Sequence, residues 1–159
     1  MRIKNDQQLL EILNSEQLHD FSDYVKEVTG NSISELTGEK INDLYDDFEV
    51  GKLSNNLCDK VTSEYVKFIE NMKKQSIDYI IEAAYEIVWK DNITQFIETE
   101  PPKLSKKQYV ALLSANNTLA AIYDEWLSDG ELHTYADIAV LLENTAGKIL
   151  VSLNKELEE

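Results

Sequence analysis

Hydrophobic residues recur at steps of three and four along almost the whole chain, and that period is typical of α-helices. A stripe between Gly38 and Gly51 predicts a compact helix with an acidic outer face. A longer pattern starts at Ser54, and another starts near Ser76. This last pattern predicts an inward-facing stripe made of Ile77, Ile80, Ile81, Ala84, Ile87 and Val88. The sequence therefore predicts an all-α fold, a compact bundle of seven to nine short-to-medium helices.

Capping residues and prolines indicate where individual helices begin and end. A short first helix is expected over residues 5–13. The spacing Ser105-x-x-Gln108 is that of a capping box, in which each side chain satisfies a free backbone amide at a helix start. Pro101 and Pro102 stop any helix, because proline donates no backbone hydrogen bond. This proline pair is the clearest break in the chain.

The acidic residues are concentrated in the first third of the chain. The whole protein has 30 acidic and 15 basic side chains, a formal net charge of −15, and residues 1–50 hold twelve of the acids and four of the bases. We therefore predict an acidic N-terminal helical segment, residues 1–53, and a helical bundle, residues 54–159, that Pro101-Pro102 interrupts. The two parts form either one domain or two packed subdomains.

Charge and composition narrow the class of partner. A strongly negative protein repels nucleic acid and anionic membranes and attracts basic surfaces. No apolar run approaches the roughly 20 residues that a membrane-spanning helix needs. Cys58 is the single cysteine, so a reducing, cytoplasmic setting is expected. We expect a protein partner with a basic surface, and no direct contact with nucleic acid or membrane.

Residues that would support catalysis or metal binding are scarce. The sequence has no Gly-x-Ser-x-Gly turn and no glycine-rich phosphate loop. Di-iron bundles use paired Glu-x-x-His motifs, and Glu16-x-x-His19 occurs here without a second copy. We therefore expect that the protein is not an enzyme and takes no cofactor and no metal.

Two groups of carboxylates stand out as candidate binding residues. The first acidic segment is Asp43, Asp46, Asp47 and Glu49, and the second acidic segment is Asp78, Glu82 and Glu86. The members of the second follow at four-residue steps, about 6 Å apart along a helix axis. Like charges at this spacing destabilise an isolated helix by about 0.2–0.5 kcal/mol per pair. Each segment is therefore either a surface kept for a partner or a plain solvated helix face.

From about Ser76 to Ala146 the chain resembles a family of small, acidic, all-helical domains of unknown function. The stretches that carry the resemblance are Ile80–Glu86, Lys90–Ile93, Leu104-Ser105, Ala111–Leu113, Leu119–Trp126 and Tyr135–Ile138. Members of the family are encoded in mobile elements and phages of Gram-positive gut bacteria. The resemblance implies a setting in which mobile elements compete with host defence, and it carries over no catalytic residue.

Two functional hypotheses follow. The leading one is a non-enzymatic acidic inhibitor of a nucleic-acid-binding host-defence protein, similar to an anti-CRISPR protein that blocks a Cas nuclease. Both acidic segments would then occupy a Lys/Arg channel that normally binds phosphates. The alternative is a helical interaction or assembly module of a mobile element that binds through an apolar or aromatic surface. Exposed Trp89 or Trp126 would anchor that surface.

Overall fold

The computed structural model describes residues 13–129 and 137–156, so the helix predicted over residues 5–13 lies, except for Leu13, outside the described residues. Within those ranges the chain forms seven α-helices and no strand. They are α1 (Ser15–Thr29), α2 (Gly38–Met72), α3 (Ile77–Glu82), α4 (Ala84–Thr99), α5 (Lys106–Ser114), α6 (Thr118–Asp129) and α7 (Ile138–Glu156), with a 3₁₀ turn at Ile33–Glu35. The prediction of an all-α fold is confirmed.

The helix predicted between Gly38 and Gly51 is the front of a much longer one. The sequence predicts a second helix from Ser54, whereas α2 runs without interruption over 35 residues. Glycine in a helix interior costs about 1 kcal/mol but does not break the helix, and α2 contains no proline. The prediction of two helices here, and of short-to-medium length for both, is therefore wrong.

Two compact units divide the chain, and the boundary falls inside α2 between Lys52 and Leu53. The core of the first unit consists of Phe21, Val25, Ile41 and Leu44. Phe21 lies at its centre, with its ring 5.4 Å from that of Tyr45 in an edge-on arrangement and 5.3 Å from that of Phe48. Aromatic side chains from α1 and from the front of α2 thus hold the first unit together.

The second unit buries residues from five of its helices. The buried hydrophobic core residues are Leu57, Val61, Trp89, Ile93, Phe96, Ile97, Leu104, Tyr109, Ala111, Leu112, Leu119, Ile122, Tyr123, Trp126, Ile138, Leu141, Leu142 and Ala146. Helices α5 and α6 pack against α7, and α4 packs against α6. This core fixes α4, whose first turns carry the exposed side chains of Tyr85 and Val88.

The proline break is a packed connection inside the second unit. Helix α4 ends at Thr99, and the chain resumes helical geometry at Lys106. The carbonyl of buried Pro102 accepts a hydrogen bond from the hydroxyl of Tyr109. The capping box at the start of α5 is confirmed, since Ser105 and Gln108 exchange hydrogen bonds.

Candidate functional site

A group of exposed hydrophobic side chains lies on α3 and the start of α4. We call Ile77, Tyr79, Ile81, Tyr85 and Val88 the apolar face; each exposes between 47% and 77% of its surface. The sequence predicts that Ile77, Ile81 and Val88 point inward, and this prediction is wrong. A three- and four-residue period shows only that one side of a helix is apolar, and does not show what covers that side.

Local sequence explains how α3 is held at the surface. The side chain of Ser76 accepts a hydrogen bond from the N–H of Tyr79 and caps the helix start. The helix ends at Ala83, whose backbone leaves helical geometry (φ −85°, ψ 2°). Among the described helices, α3 packs closely only against α4, and none of its six residues is buried. It is a short, exposed helix tethered at both ends.

The second acidic segment does not form one stripe. Asp78 and Glu82 lie on α3, are exposed, and have no ion-pair partner among the described residues. Glu86 lies on α4, beyond the break at Ala83, and its Oε1 is 2.6 Å from Nζ of Lys90. The prediction of three equivalent carboxylates along one helix is therefore wrong, because the helix stops between the second and the third.

Glu86 serves the packing of its own unit. Its partner Lys90 is buried, with Nζ 4.2 Å from the ring centroid of Phe68 and 5.3 Å from that of Tyr123. A buried ammonium needs such compensation, and here one carboxylate and two ring faces supply it. Burial raises the pKa of the Tyr123 hydroxyl, and the charge of Glu86 raises it further. Glu86 is thus already engaged within its own unit, unlike Asp78 and Glu82.

The predicted tryptophan anchors are buried. Trp89 exposes 9% and Trp126 exposes 6% of its surface, and their rings stack with centroids 4.5 Å apart. The Tyr85 ring lies 5.6 Å from the Trp126 ring and remains more than half exposed. Neither tryptophan therefore has the exposure on which the prediction of a direct partner contact depends. Trp126 instead packs against the exposed ring of Tyr85.

Sequence reasoning missed Tyr79 and Tyr85 as candidate residues. One signal was present: four of the six residues of α3 are large and apolar, namely Ile77, Tyr79, Ile80 and Ile81. Tyr79 does not belong to the predicted inward stripe, so the short helix is apolar on more than one side. A helix that is apolar on more than one side must be packed against other elements on each of those sides to bury its apolar residues.

The first acidic segment is the outer face of α2 in the first unit. Asp43, Asp46 and Asp47 are exposed and Glu49 is half-buried, while Ile41 and Leu44 on the other side enter the core; these six residues share one helix. Burial raises the pKa of Tyr45, and the charge and hydrogen bond of Glu49 and the charge of Asp46 raise it further. Glu49 and Asp46 therefore act on a tyrosine of their own unit.

A polar cavity of about 460 Å³ lies in the second unit between α2, α4 and the start of α6. Three lysines line it: Lys60, Lys67 and Lys90. Lys60 Nζ lies 2.9 Å from Glu64 Oε1, an ion-pair contact outside hydrogen-bonding alignment, and Lys90 is held by Glu86. Oε2 of Glu64 accepts the N–H of Leu119 at 2.8 Å. Most of the positive charge is thus already neutralised, which does not favour an anion site.

Within the two described ranges, no three His, Cys, Asp or Glu side chains lie close enough to hold a metal ion. No helix in those ranges is both long and apolar enough to cross a membrane. The resemblance over residues 76–146 stays a prediction. Comparison with protein-family models, with curated proteins and with solved structures found no match to this chain.

Proposed function

We propose that this protein is a non-catalytic binding module that docks a partner protein through the apolar face. The observation that carries the proposal is α3, a six-residue helix with four large apolar side chains and no buried residue. Large exposed apolar patches on a soluble protein mark interaction surfaces, whereas single scattered apolar residues are normal. Fully burying one such side chain is worth about 1.5–3 kcal/mol, so this face is a source of affinity.

The aromatic residues of the face are suited to anchoring a partner. Tyrosine is enriched among the residues that dominate binding energy, because it buries a large area and fixes few rotatable bonds. The ring of Tyr85 already rests on Trp126 in the free protein. A side chain that is positioned before binding loses less conformational entropy on binding. Tyr85 is therefore the expected centre of the contact.

The net charge favours a different protein as the partner over a second copy. Two copies would bring together two chains that each carry a net charge of −15. Long-range repulsion opposes that encounter, and a basic partner is attracted instead. We therefore propose a partner with a basic surface that also presents apolar side chains.

The acidic-inhibitor hypothesis remains a second candidate, and the exposure of Asp43, Asp46 and Asp47 on α2 favours it. In that case the first acidic segment would occupy the basic groove of a nucleic-acid-binding defence protein such as a Cas nuclease, in the manner of an anti-CRISPR protein. Binding driven by such exposed charges weakens steeply with salt, because ions screen charges over about 8–10 Å at physiological strength. Binding through the apolar face does not.

Quantitative co-purification from a bacterial host lysate separates the two candidates. The bait is the full chain, compared with Ile77→Ser/Ile81→Ser and with Asp43→Asn/Asp46→Asn/Asp47→Asn. Val110→Ser/Val140→Ser is the matched control, because both valines are as exposed as the apolar face but lie on α5 and α7. We expect one or more proteins to bind the full chain and the valine control and to be lost with the isoleucine variant.

Salt and folding controls complete the test. All four proteins are first compared by urea unfolding, so that a loss of binding is not a loss of structure. Retention on the isoleucine variant, together with loss on the aspartate variant and in about 0.5 M salt, selects the acidic inhibitor instead. Equal binding to all variants contradicts both proposals.

A further inference from the structure

Helix α3 carries an acidic row directly beside its apolar row. Ile77 and Ile81 are one turn apart on one side, and Asp78 and Glu82 are one turn apart on the adjacent side. We infer that the partner segment is an amphipathic helix that bears a Lys/Arg row next to its own apolar row. This inference rests on the proposed docking function and names the chemistry of the occupant.

The two carboxylates are free to pair with a partner. Three other carboxylates of the second unit are engaged in internal ion pairs: Glu86 with Lys90, Glu64 with Lys60, and Glu125 with Lys148, at 2.5 to 2.9 Å. Asp78 and Glu82 are exposed, and no ion pair joins them to any described residue. Basic side chains of a partner could therefore form ion pairs with Asp78 and Glu82 without breaking an ion pair inside the protein.

The geometry favours a helix over an extended strand. A strand that binds by its backbone needs an unpaired sheet edge, and the described ranges contain no strand to offer one. Addition of a partner strand to a sheet edge in those ranges is therefore excluded. A partner helix repeats its side chains every three or four residues, at the same axial spacing as the two rows of α3.

Basic residues of the protein near the apolar face determine which part of the partner segment can be basic. Lys73 and Lys74 are exposed in the turn before Ser76, at the entrance to α3. Basic residues of the partner are therefore expected opposite Asp78 and Glu82, and not along the whole segment. Apolar burial supplies most of the affinity, and the charge pairs select and orient the partner.

Synthetic peptides of one length test this inference against the full chain. The main probe is a basic amphipathic helix of Leu and Lys, compared with a scrambled peptide of the same composition, an amphipathic helix with Glu in place of Lys, and a proline-rich basic peptide. Binding is measured by fluorescence anisotropy and located by NMR shifts of α3 and α4. We expect the main probe to bind about tenfold or more tightly than the other three.

Charge-reversal variants identify the responsible carboxylates. Asp78→Lys/Glu82→Lys is expected to weaken binding of the basic amphipathic peptide several-fold and to strengthen binding of the acidic one. Asp43→Lys/Asp47→Lys changes the net charge equally on the first acidic segment, and is expected to leave the difference between the peptides in place. Equal affinity for the basic and acidic helices, a preference for the proline-rich peptide, or no shift in α3 overturns the inference.

The same data distinguish failure of the inference from failure of the proposed function. If Ile77→Ser/Ile81→Ser abolishes partner capture while Asp78→Lys/Glu82→Lys changes nothing, the docking face stands and the basic helix is wrong. If Ile77→Ser/Ile81→Ser has no effect on capture, the proposed function itself is wrong. Self-association of the full chain by sedimentation, lost in the isoleucine variant, would identify a second copy as the occupant.

Discussion

The first acidic segment and helix α3 look alike in sequence but differ in what lies on their other sides. Both place carboxylates among apolar residues at helical spacing. The front of α2 buries Ile41 and Leu44 against the aromatic core of the first unit, so its acids are the solvated outside of an ordinary amphipathic helix. Helix α3 buries none of its residues. Burial in the folded core therefore explains the apolar residues at the front of α2, but it does not explain those of α3.

Substitution of one isoleucine in each helix gives the largest expected contrast. Ile41→Ala removes a side chain that is 1% exposed and should cost about 2–5 kcal/mol of unfolding free energy, through lost burial and a residual cavity. Ile81→Ala removes one that is 67% exposed and should change stability by less than about 0.5 kcal/mol. Urea unfolding of both variants measures the difference. A cost above about 1 kcal/mol at Ile81 would mean that α3 has a core role after all.

A pair of glutamates tests the division of the second acidic segment. Glu86→Ala leaves the buried ammonium of Lys90 without its carboxylate, and we expect a loss of about 1–3 kcal/mol. The estimate lies below that for a fully buried pair, because 31% of the Glu86 side chain stays exposed. Glu82→Ala should have almost no effect. Both variants are measured by urea unfolding. Equal losses of stability would mean that Glu82 and Glu86 have equivalent roles, as the sequence predicts.

The outcome at these helices shows what the sequence could and could not predict. Period and capping predicted the all-α fold and the capping box at Ser105 and Gln108, because both depend on residues three or four positions apart. The exposure of Ile77 and Ile81 depends on whether a distant helix covers them. No local pattern contains that information, so a period that correctly predicts helices gave a wrong inward assignment at Ile81.

The exposure of the candidate binding residues was predicted only in part, for the same reason. Asp78 and Glu82 are exposed as expected of binding residues, whereas the break at Ala83 separates Glu86 from them. Trp89 and Trp126 were singled out as large aromatics, and their burial follows from stacking on each other across two helices. Residue type alone does not indicate that a second aromatic ring will pack against a tryptophan and bury it.

Substitution of Gly51 tests whether α2 continues beyond the first acidic segment, and Gly30 provides a comparison at a true helix end. Gly51 lies within α2, and the space that an alanine Cβ would fill there is open, so Gly51→Ala should stabilise the protein by about 0.5–1 kcal/mol. Gly30 follows α1 with φ +74°, a left-handed conformation that strains alanine, so Gly30→Ala should destabilise by about 1 kcal/mol. Opposite signs in urea unfolding are expected. Destabilisation at Gly51 would indicate that the helix ends there, as the sequence predicts.

The smallest expected effect concerns Tyr45 and the first acidic segment. Burial, then the charge and hydrogen bond of Glu49, then the charge of Asp46 raise the pKa of Tyr45 above 10.0. The folded state thus holds this proton more tightly than the unfolded state. Its contribution to stability is complete below about pH 10 and is lost as the pH rises through the folded pKa. Glu49→Gln should therefore lower the pKa of Tyr45 and reduce the loss of stability at high pH.

NMR titration of the Tyr45 ring measures this pKa, and Asp43→Asn is the control within the same segment. Asp43 is not among the groups that raise the pKa of Tyr45, so its substitution should have little effect. Because Tyr45 is only half-buried, added salt should weaken the contribution of Asp46. Equal shifts from Glu49→Gln and Asp43→Asn would mean that only net charge matters. A shift specific to Glu49 would show that the first acidic segment acts within its own unit, whereas Asp78 and Glu82 have no such internal partner among the described residues.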